Sequence, residues 1–241
     1  MQNFKEGEII LINKPYQWSS FDVVKKMRGL LNMHHDFSYE KGETKPKFKI
    51  KIGHAGTLDP LATGLMMICT GKQTKNIDQL QAQNKEYTGI FFLGATTPSF
   101  DKEHAIDVTY PTDHITKDQI FDTAKKFIGK SQQVPPVFSA VKVDGKRSYK
   151  SARKGKMDAE PDPREITIYE FEITKIDIPL VEFIVICSKG TYIRSLARDF
   201  GKALGSGAYL ESLCRTGIGN YRLEDAIEIV DFEASLQATI R

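Results

Sequence analysis

The chain has 241 residues, of which 40% are hydrophobic and 27% charged, and its 34 basic and 31 acidic side chains leave a net charge of only +3. That length can bury the core of one large domain or of two small ones, and so near-neutral a balance means that any polyanionic partner must be met by local clusters of charge. No segment approaches the roughly 20 apolar residues of a spanning helix, the N-terminal run IILI is too short for a signal peptide, and a cytoplasmic protein is expected.

EIILIN (8–13) predicts a short buried strand from its β-branched content. Ser19 and Asp22 form a capping box, after which Phe21, Val24, Met27, Leu30 and Leu31 recur at helical spacing. Residues 32–46, NMHHDFSYEKGETKP, are polar and aperiodic and predict a flexible insertion. Strands are expected at 45–52, 64–70 and 85–94, and a helix at 116–128 from the stripe Ile120, Ala124, Phe127 and Ile128. Beyond Pro135–Pro136 a basic segment leads to strands at 164–177 and 181–188. Gly190 and Thr191 then turn into a helix over 192–204 with Thr191 as N-cap, and a further strand precedes a helical stretch near 231–240. Irregular alternation of this kind predicts an α+β fold with a mixed, largely antiparallel sheet. Without an internal repeat or a clean linker, residues 1–241 are expected to be a single domain, with two lobes at most.

Several chemistries are excluded by spacing. Gly71–Lys72 lacks the upstream glycine of a phosphate-binding loop, where Met66 stands, and has Gln73 in place of Ser or Thr. GSGAYL (205–210) lacks the third glycine of a dinucleotide fingerprint. His34, His35, His54, His104 and His114 have no metal-ligand spacing with cysteines or acids, and the three cysteines, Cys69, Cys187 and Cys214, sit far apart in apolar contexts that suit buried thiols. No nucleotide cofactor and no metal are expected.

Two basic clusters stand out. Lys45, Lys47, Lys49 and Lys51 alternate with Phe48, Ile50 and Ile52, so a strand there would present lysines on one face; such a ribbon protects an edge or meets phosphates. VDGKRSYKSARKGK (143–156) adds six basic residues around Tyr149 against one acid, Asp144. Together they point to a tract for nucleic acid, the alternative for the second being a solvated helix face.

GHAGTLDPLATG (53–64) carries one acid. Pro60 disfavours helical geometry at Asp59, while Gly53, Gly56 and Gly64 permit tight turns and close backbone approach. The result is a carboxylate presented on a rigid loop, although a turn aspartate is most often structural. In KGTYIRSLARDFG (189–201) Arg194 falls in the first helical turn, where a cation opposes the helix dipole by roughly 0.3–1 kcal/mol. It needs an anionic partner, a phosphate or a carboxylate. Pairing with Asp59 would favour the ionised carboxylate that a nucleophile requires; capping a neighbouring loop is the other possibility.

GHAGTLDPLATG closely resembles the catalytic-aspartate motif of the TruB family of bacterial tRNA pseudouridine synthases. NKPYQWSS (13–20), TGKQTK (70–75), KEYTGIFFLG (85–94), PPVFSAVKVDGKRSYKSARKG (135–155), SKGTYIRSLARDFG (188–201) and GAYLESLCRTGIGNY (207–221) resemble further family segments in the same order, covering nearly the whole chain. The resemblance implies a long mixed sheet with flanking helices and a central RNA-binding cleft. It implies isomerisation of uridine 55 in the T loop of tRNA, by base flipping and without a cofactor, with Asp59 as nucleophile. Tyr87 would lie against the target base and Arg194 would pair with Asp59. Tyr192 and Leu213 would line the uracil pocket, and His54 would fill the space left by the extruded base. Lys14, with Pro15, would buttress the catalytic loop, and Lys75 would join the substrate-binding set. The T-arm of tRNA is the expected partner, with no membrane, no obligate protein partner and a monomeric state. The chain has Gln17 where the family usually has glycine, TPS (97–99) for its Thr-Asp-Thr element and His104 for a further glycine. Ending at Arg241, it is expected to be a short form without the C-terminal PUA domain.

Two rival readings use the same residues. An RNA-binding protein or folding chaperone would need the basic tract but not Asp59 with Arg194, and a glycoside or nucleoside hydrolase would need a second carboxylate flanking the bond, which this loop lacks.

Overall fold

The computed structural model describes residues 4–37, 50–139, 142–143, 146–147 and 161–238. In chain order these form β1 (Ile9–Lys14), α1 (Ser20–Phe37), β2 (Ile52–His54), β3 (Ala62–Thr70), a 3-10 turn (Gly71–Asn76) and α2 (Ile77–Ala82). There follow β4 (Lys85–Leu93), β5 (Ala95–Thr96), β6 (Val108–Thr109), α3 (Lys117–Lys126), β7 (Gly129–Gln133), β8 (Lys142–Val143) and β9 (Lys146–Arg147). The remainder is β10 (Arg164–Asp177), β11 (Leu180–Cys187), α4 (Ile193–Ala203), β12 (Ala208–Ile218), β13 (Tyr221–Arg222), a 3-10 turn (Leu223–Asp225) and α5 (Ile229–Ala238). The chain divides into two compact units, Met1–Gln83 with Cys214–Arg241, and Asn84–Leu213.

In the first unit β1 and β2 both pair antiparallel with β3, placing Lys14 opposite Gly64 and His54 opposite Ile68. The β3 sequence ATGLMMICT is apolar almost throughout because it is covered on both faces. Met66 and Ile68 pack with Val23, Met27 and Leu31 of α1 and with Phe232 of α5. Leu65, Met67 and Cys69 pack on the other side with Leu80 and Ile218. The α1 cap is the one expected: the Ser19 amide donates to Asp22 Oδ2 at 3.0 Å, and the Asp22 amide to Ser19 Oγ at 3.2 Å.

In the second unit β4, β11, β10 and β7 run as successive antiparallel neighbours. Their buried face meets α3 and α4 through an aromatic cluster, in which Phe91 stacks on Phe183 at 4.2 Å and also meets Phe171 and Phe200. Offset and edge-on rings of this kind add to simple area burial. Tyr87 lies opposite Val185 and shares the buried face of β4 with Phe91 and Leu93.

The α+β class and the largely antiparallel pairing are as expected. Three local expectations are corrected. Helix α1 continues to Phe37, so residues 32–37 are helical and not part of a loop; with Leu30 and Leu31 buried, each added residue costs little once the helix is nucleated. Residues 38–46 lie outside the described residues. Of the strand expected over 45–52, Ile50, buried, and Lys51, exposed, lie outside any strand and Ile52 opens β2, while residues 45–49 lie outside the described residues. Helix α3 stops at Lys126, leaving Ile128 exposed, because Gly129 turns the chain at φ +110° into β7. Of the basic stretch 143–156, only the backbone of β8 and β9 falls within the described residues.

Candidate active site

The loop GHAGTLDPLATG links β2 to β3 in the first unit. Its centre is a β-turn: the Ala62 amide donates to Asp59 O at 3.1 Å, with proline at the position whose fixed φ suits such a turn. Five consecutive carbonyls, from Gly56 to Pro60, accept hydrogen bonds. Arg215 donates through its two terminal nitrogens to Gly56 O at 3.1 Å and Thr57 O at 3.5 Å. Ser20 Oγ donates to Leu58 O at 2.9 Å and receives the Leu58 amide at 2.8 Å. Pro60 O accepts from the Gln17 amide at 2.9 Å and from Lys14 Nζ at 3.3 Å. Backbone so fully bonded has little freedom left, and it presents a half-buried Asp59 side chain.

The two cations of this bracing are almost wholly buried, Lys14 at 0% and Arg215 at 1% exposure. Lys14 Nζ also donates to Pro15 O at 2.8 Å and Trp18 O at 2.6 Å, so all three ammonium protons find carbonyls. Burial pulls the Lys14 pKa down to about 8; the Asp59 charge works against this, Arg215 with it and Asp22 against it. Arg215 Nε donates to Leu65 O at 2.8 Å. Its backbone passes so close to Gly64, at φ +104°, that a Cβ there would lie 2.7 Å from the Arg215 amide nitrogen. Gln17 has φ +66°, a left-handed turn made without glycine. His54, at the end of β2, is half-buried. Burial lowers its pKa, Arg215 adding to the effect and the Gly56 backbone opposing it, which keeps the imidazole neutral near pH 7. Lys75 is exposed on the 3-10 turn after β3.

The second unit holds the other expected residues. Arg194 is the second residue of α4 and is buried. It donates to Ser99 O at 3.2 Å and Phe138 O at 3.0 Å, and its Nε lies 3.6 Å from Asp101 Oδ2. The N-cap of α4 is Tyr192 and not Thr191, whose hydroxyl instead donates back to Ser188 O at 3.0 Å. Tyr192 is pinned by a side chain: the Gln133 amide group donates to Tyr192 O at 3.1 Å and accepts the Tyr192 amide at 2.8 Å. Gln133 thereby does for the helix terminus what a capping side chain does elsewhere. Leu213 is half-buried on β12 and Tyr87 is buried on β4. His104 packs its ring on Phe138 at 4.6 Å.

Ser20, Asp101, Gln133 and Arg215 escaped the sequence reading. Asp101 is an acid beside Arg194, and Arg215 lies inside the quoted block GAYLESLCRTGIGNY; neither has a local pattern that marks it. Among the described residues no three His, Cys, Asp or Glu side chains gather to hold a metal ion, and no helix is long and apolar enough to cross a membrane.

The fold is that of the pseudouridine synthases. It superposes on a chain of the solved Cbf5–Nop10–Gar1 complex with a TM-score of 0.68 and 29% identity, covering 96% of this chain and 54% of that one. It likewise matches a chain of an H/ACA RNP bound to a substrate RNA containing 2′-deoxyuridine, with a TM-score of 0.66 and 25% identity over 96% and 53% of the two chains. This chain thus spans about half the length of those solved chains. Residues 43–193 match the model of the TruB family pseudouridylate synthase N-terminal domain. A tRNA pseudouridine synthase B from Flavobacterium johnsoniae is 55% identical over 98% of this chain and 99% of its own length. Another from Phocaeicola vulgatus is 52% identical over 95% and 93%. The chain belongs to the TruB family of pseudouridylate synthases, and its chemistry is that of an isomerase.

Proposed function

We propose that this chain converts uridine 55 in the T loop of tRNA to pseudouridine, with Asp59 as the nucleophile. The observation that carries this reading is the Asp59 loop, whose five consecutive carbonyls are bonded while its one carboxylate stays within reach of solvent. Nucleophilic catalysis needs an anion held where it can attack. The reaction breaks the N1–C1′ bond, turns the uracil and joins C5 to C1′; the C5 proton leaves and N1 gains one, so the mass is unchanged. No electrons are exchanged and no cofactor is required.

In this reading Arg194 pairs with the Asp59 carboxylate, and Tyr87 stacks on the flipped base and is placed to take the C5 proton. Extrusion of the base costs a few kcal/mol, and stacking on an aromatic ring offsets about 1–3 kcal/mol of it. Tyr192 and Leu213 border the uracil, neutral His54 occupies the vacated stack, Lys14 braces the loop, and Lys75 meets the RNA backbone. The enzyme works as a cytoplasmic monomer on the T-arm. The names of the relatives, tRNA pseudouridine synthase B, support tRNA as the substrate class.

The test is incubation with an unmodified tRNA transcript followed by mapping of pseudouridine. Product at position 55 with the wild type, and its complete loss with retained tRNA binding in Asp59→Asn, is the expected result. Released uracil would show a hydrolase instead, and tRNA binding by the wild type without any isomerised base would sink the reading.

A further inference from the structure

Among the described residues only two outside glycine have positive φ, Gln17 at 66° and Phe100 at 62°. A bulky aromatic in the left-handed region is strained, and such strain persists only where the surroundings impose it. Phe100 sits in the turn 97–101. Its amide donates to Thr97 O at 3.1 Å, and its carbonyl accepts from the Leu210 amide at 2.9 Å. Thr97 Oγ1 closes the same turn by donating to Asp101 O at 2.7 Å. The Phe100 ring lies under the guanidinium of Arg198, whose central carbon is 4.9 Å from the ring centroid. Arg198 does not reach the ring by chance of rotamer: Nε donates to Asp199 Oδ1 at 2.8 Å and a terminal nitrogen to Val134 O at 3.3 Å.

The two neighbours of Phe100 are partners of Arg194: Ser99 through its carbonyl and Asp101 through its carboxylate. Arg194 and Arg198 are four residues apart on α4, hence on one face, and the same helix also holds Val134 O through Ser195 Oγ at 2.8 Å. We infer that Arg198 is a positioning residue. It caps the Phe100 ring, so holds the strained turn, and the turn presents Ser99 O and Asp101 at the distance and angle that orient the Arg194 guanidinium. The inference rests on the proposed function for what Arg194 then does, but the coupling of Arg198 to the turn stands on its own geometry.

The experiment uses the full chain and unmodified tRNA transcript, with Arg198→Met and Arg198→Lys made in wild-type and Phe100→Gly backgrounds. Misplacement of a group acting on the nucleophile is felt in turnover, so Arg198→Met should lower kcat about tenfold and leave KM for tRNA within about twofold. Lysine retains a cation over the ring and should restore most of that loss. In Phe100→Gly there is neither ring to cap nor strain to hold, so adding Arg198→Met should cost less than about twofold more. Wild-type kcat in Arg198→Met, a rise in KM alone, or the same fold loss in both backgrounds overturns the inference. Amide hydrogen exchange of Phe100 and Leu210, read in parallel, does not depend on turnover. It should quicken in Arg198→Met and recover in Arg198→Lys, and unchanged exchange also overturns the inference. Failure of the wild type to make pseudouridine condemns the proposed function instead, and the exchange then decides the coupling alone.

Discussion

Around Asp59 the backbone is held by several residues far away in sequence, Ser20, Gln17, Lys14 and Arg215, of which Arg215 reaches furthest. Its three hydrogen bonds run to Gly56, Thr57 and Leu65, 150 to 159 positions away. Bonds from a charged donor are worth about 1.5–3 kcal/mol each, but part of that offsets the cost of burying the guanidinium. Arg215→Met is therefore expected to destabilise the protein by about 2–4 kcal/mol and to lower kcat, readable by chemical denaturation and single-turnover assay. Gln17 offers the opposite case. A non-glycine residue in the left-handed region costs about 1–2 kcal/mol, whereas glycine loses about 0.4–1 kcal/mol through extra freedom in the unfolded chain. The difference favours glycine, so Gln17→Gly should raise stability by about 0.5–1 kcal/mol with the Pro60 hydrogen bond intact.

Lys14 carries a pH dependence with a definite sign. Its folded pKa, about 8, lies below the ordinary lysine value of 10.5 because the ammonium is buried. Between those values the unfolded chain binds the extra proton, so stability rises with pH across that window. The contribution is fully present above pH 10.5 and is lost as pH falls through about 8. Subtracting the denaturation profile of Lys14→Met from that of the wild type should isolate this rise between pH 8 and 10.5; a flat difference would contradict it.

Elements here end where tertiary partners allow, and propensity alone is a poor guide to those limits. Strand β7, GKSQQ, has no strand-like pattern and exists because its backbone pairs with β10 from Gly129 to Gln133. Its last residue then serves a different element, since Gln133 holds the start of α4 by two hydrogen bonds to Tyr192. Gln133→Leu keeps the size and removes both bonds; Tyr192 O still accepts from the Leu196 amide at 3.0 Å, so the Tyr192 amide is the group that loses its side-chain acceptor. A loss of about 1–3 kcal/mol is expected, measured as a lower Tm and as faster amide exchange confined to the first turn of α4. The helices whose apolar residues recur every three or four positions were legible in advance, because one buried stripe is enough to specify them. The N-cap of α4 was not legible, since its support comes from a strand 59 residues upstream.

For the whole molecule, a net charge of +3 cannot by itself bind RNA. Affinity has to come from local lysine and arginine clusters that displace counterions, each phosphate contact steepening the salt dependence by roughly 0.7–0.9 in the logarithmic slope. Replacing Lys45, Lys47, Lys49 and Lys51 together by alanine should weaken tRNA binding and flatten that slope, with kcat at saturating tRNA unchanged. A slope equal to that of the wild type would show that these lysines do not meet the RNA. The burial of Cys69, which pushes its thiol up to about 11, argues in the same way that this cysteine fills space on β3 and does no chemistry.

By itself the sequence determined the α+β class, most of the strands and helices, the family, and the loop that carries Asp59. Those properties are written in neighbouring residues: alternation and helical periodicity choose an element, and a proline between glycines shapes a turn. Tertiary structure alone decided that Ser20, Gln17 and Arg215 would bond the carbonyls around that loop, that Asp101 and Ser99 would meet Arg194, and that Phe100 would be strained beneath Arg198. Hydrogen bonds to backbone carbonyls leave no residue-type signature on the accepting side, and the donors come from distant parts of the chain. Only the fold brings the two together.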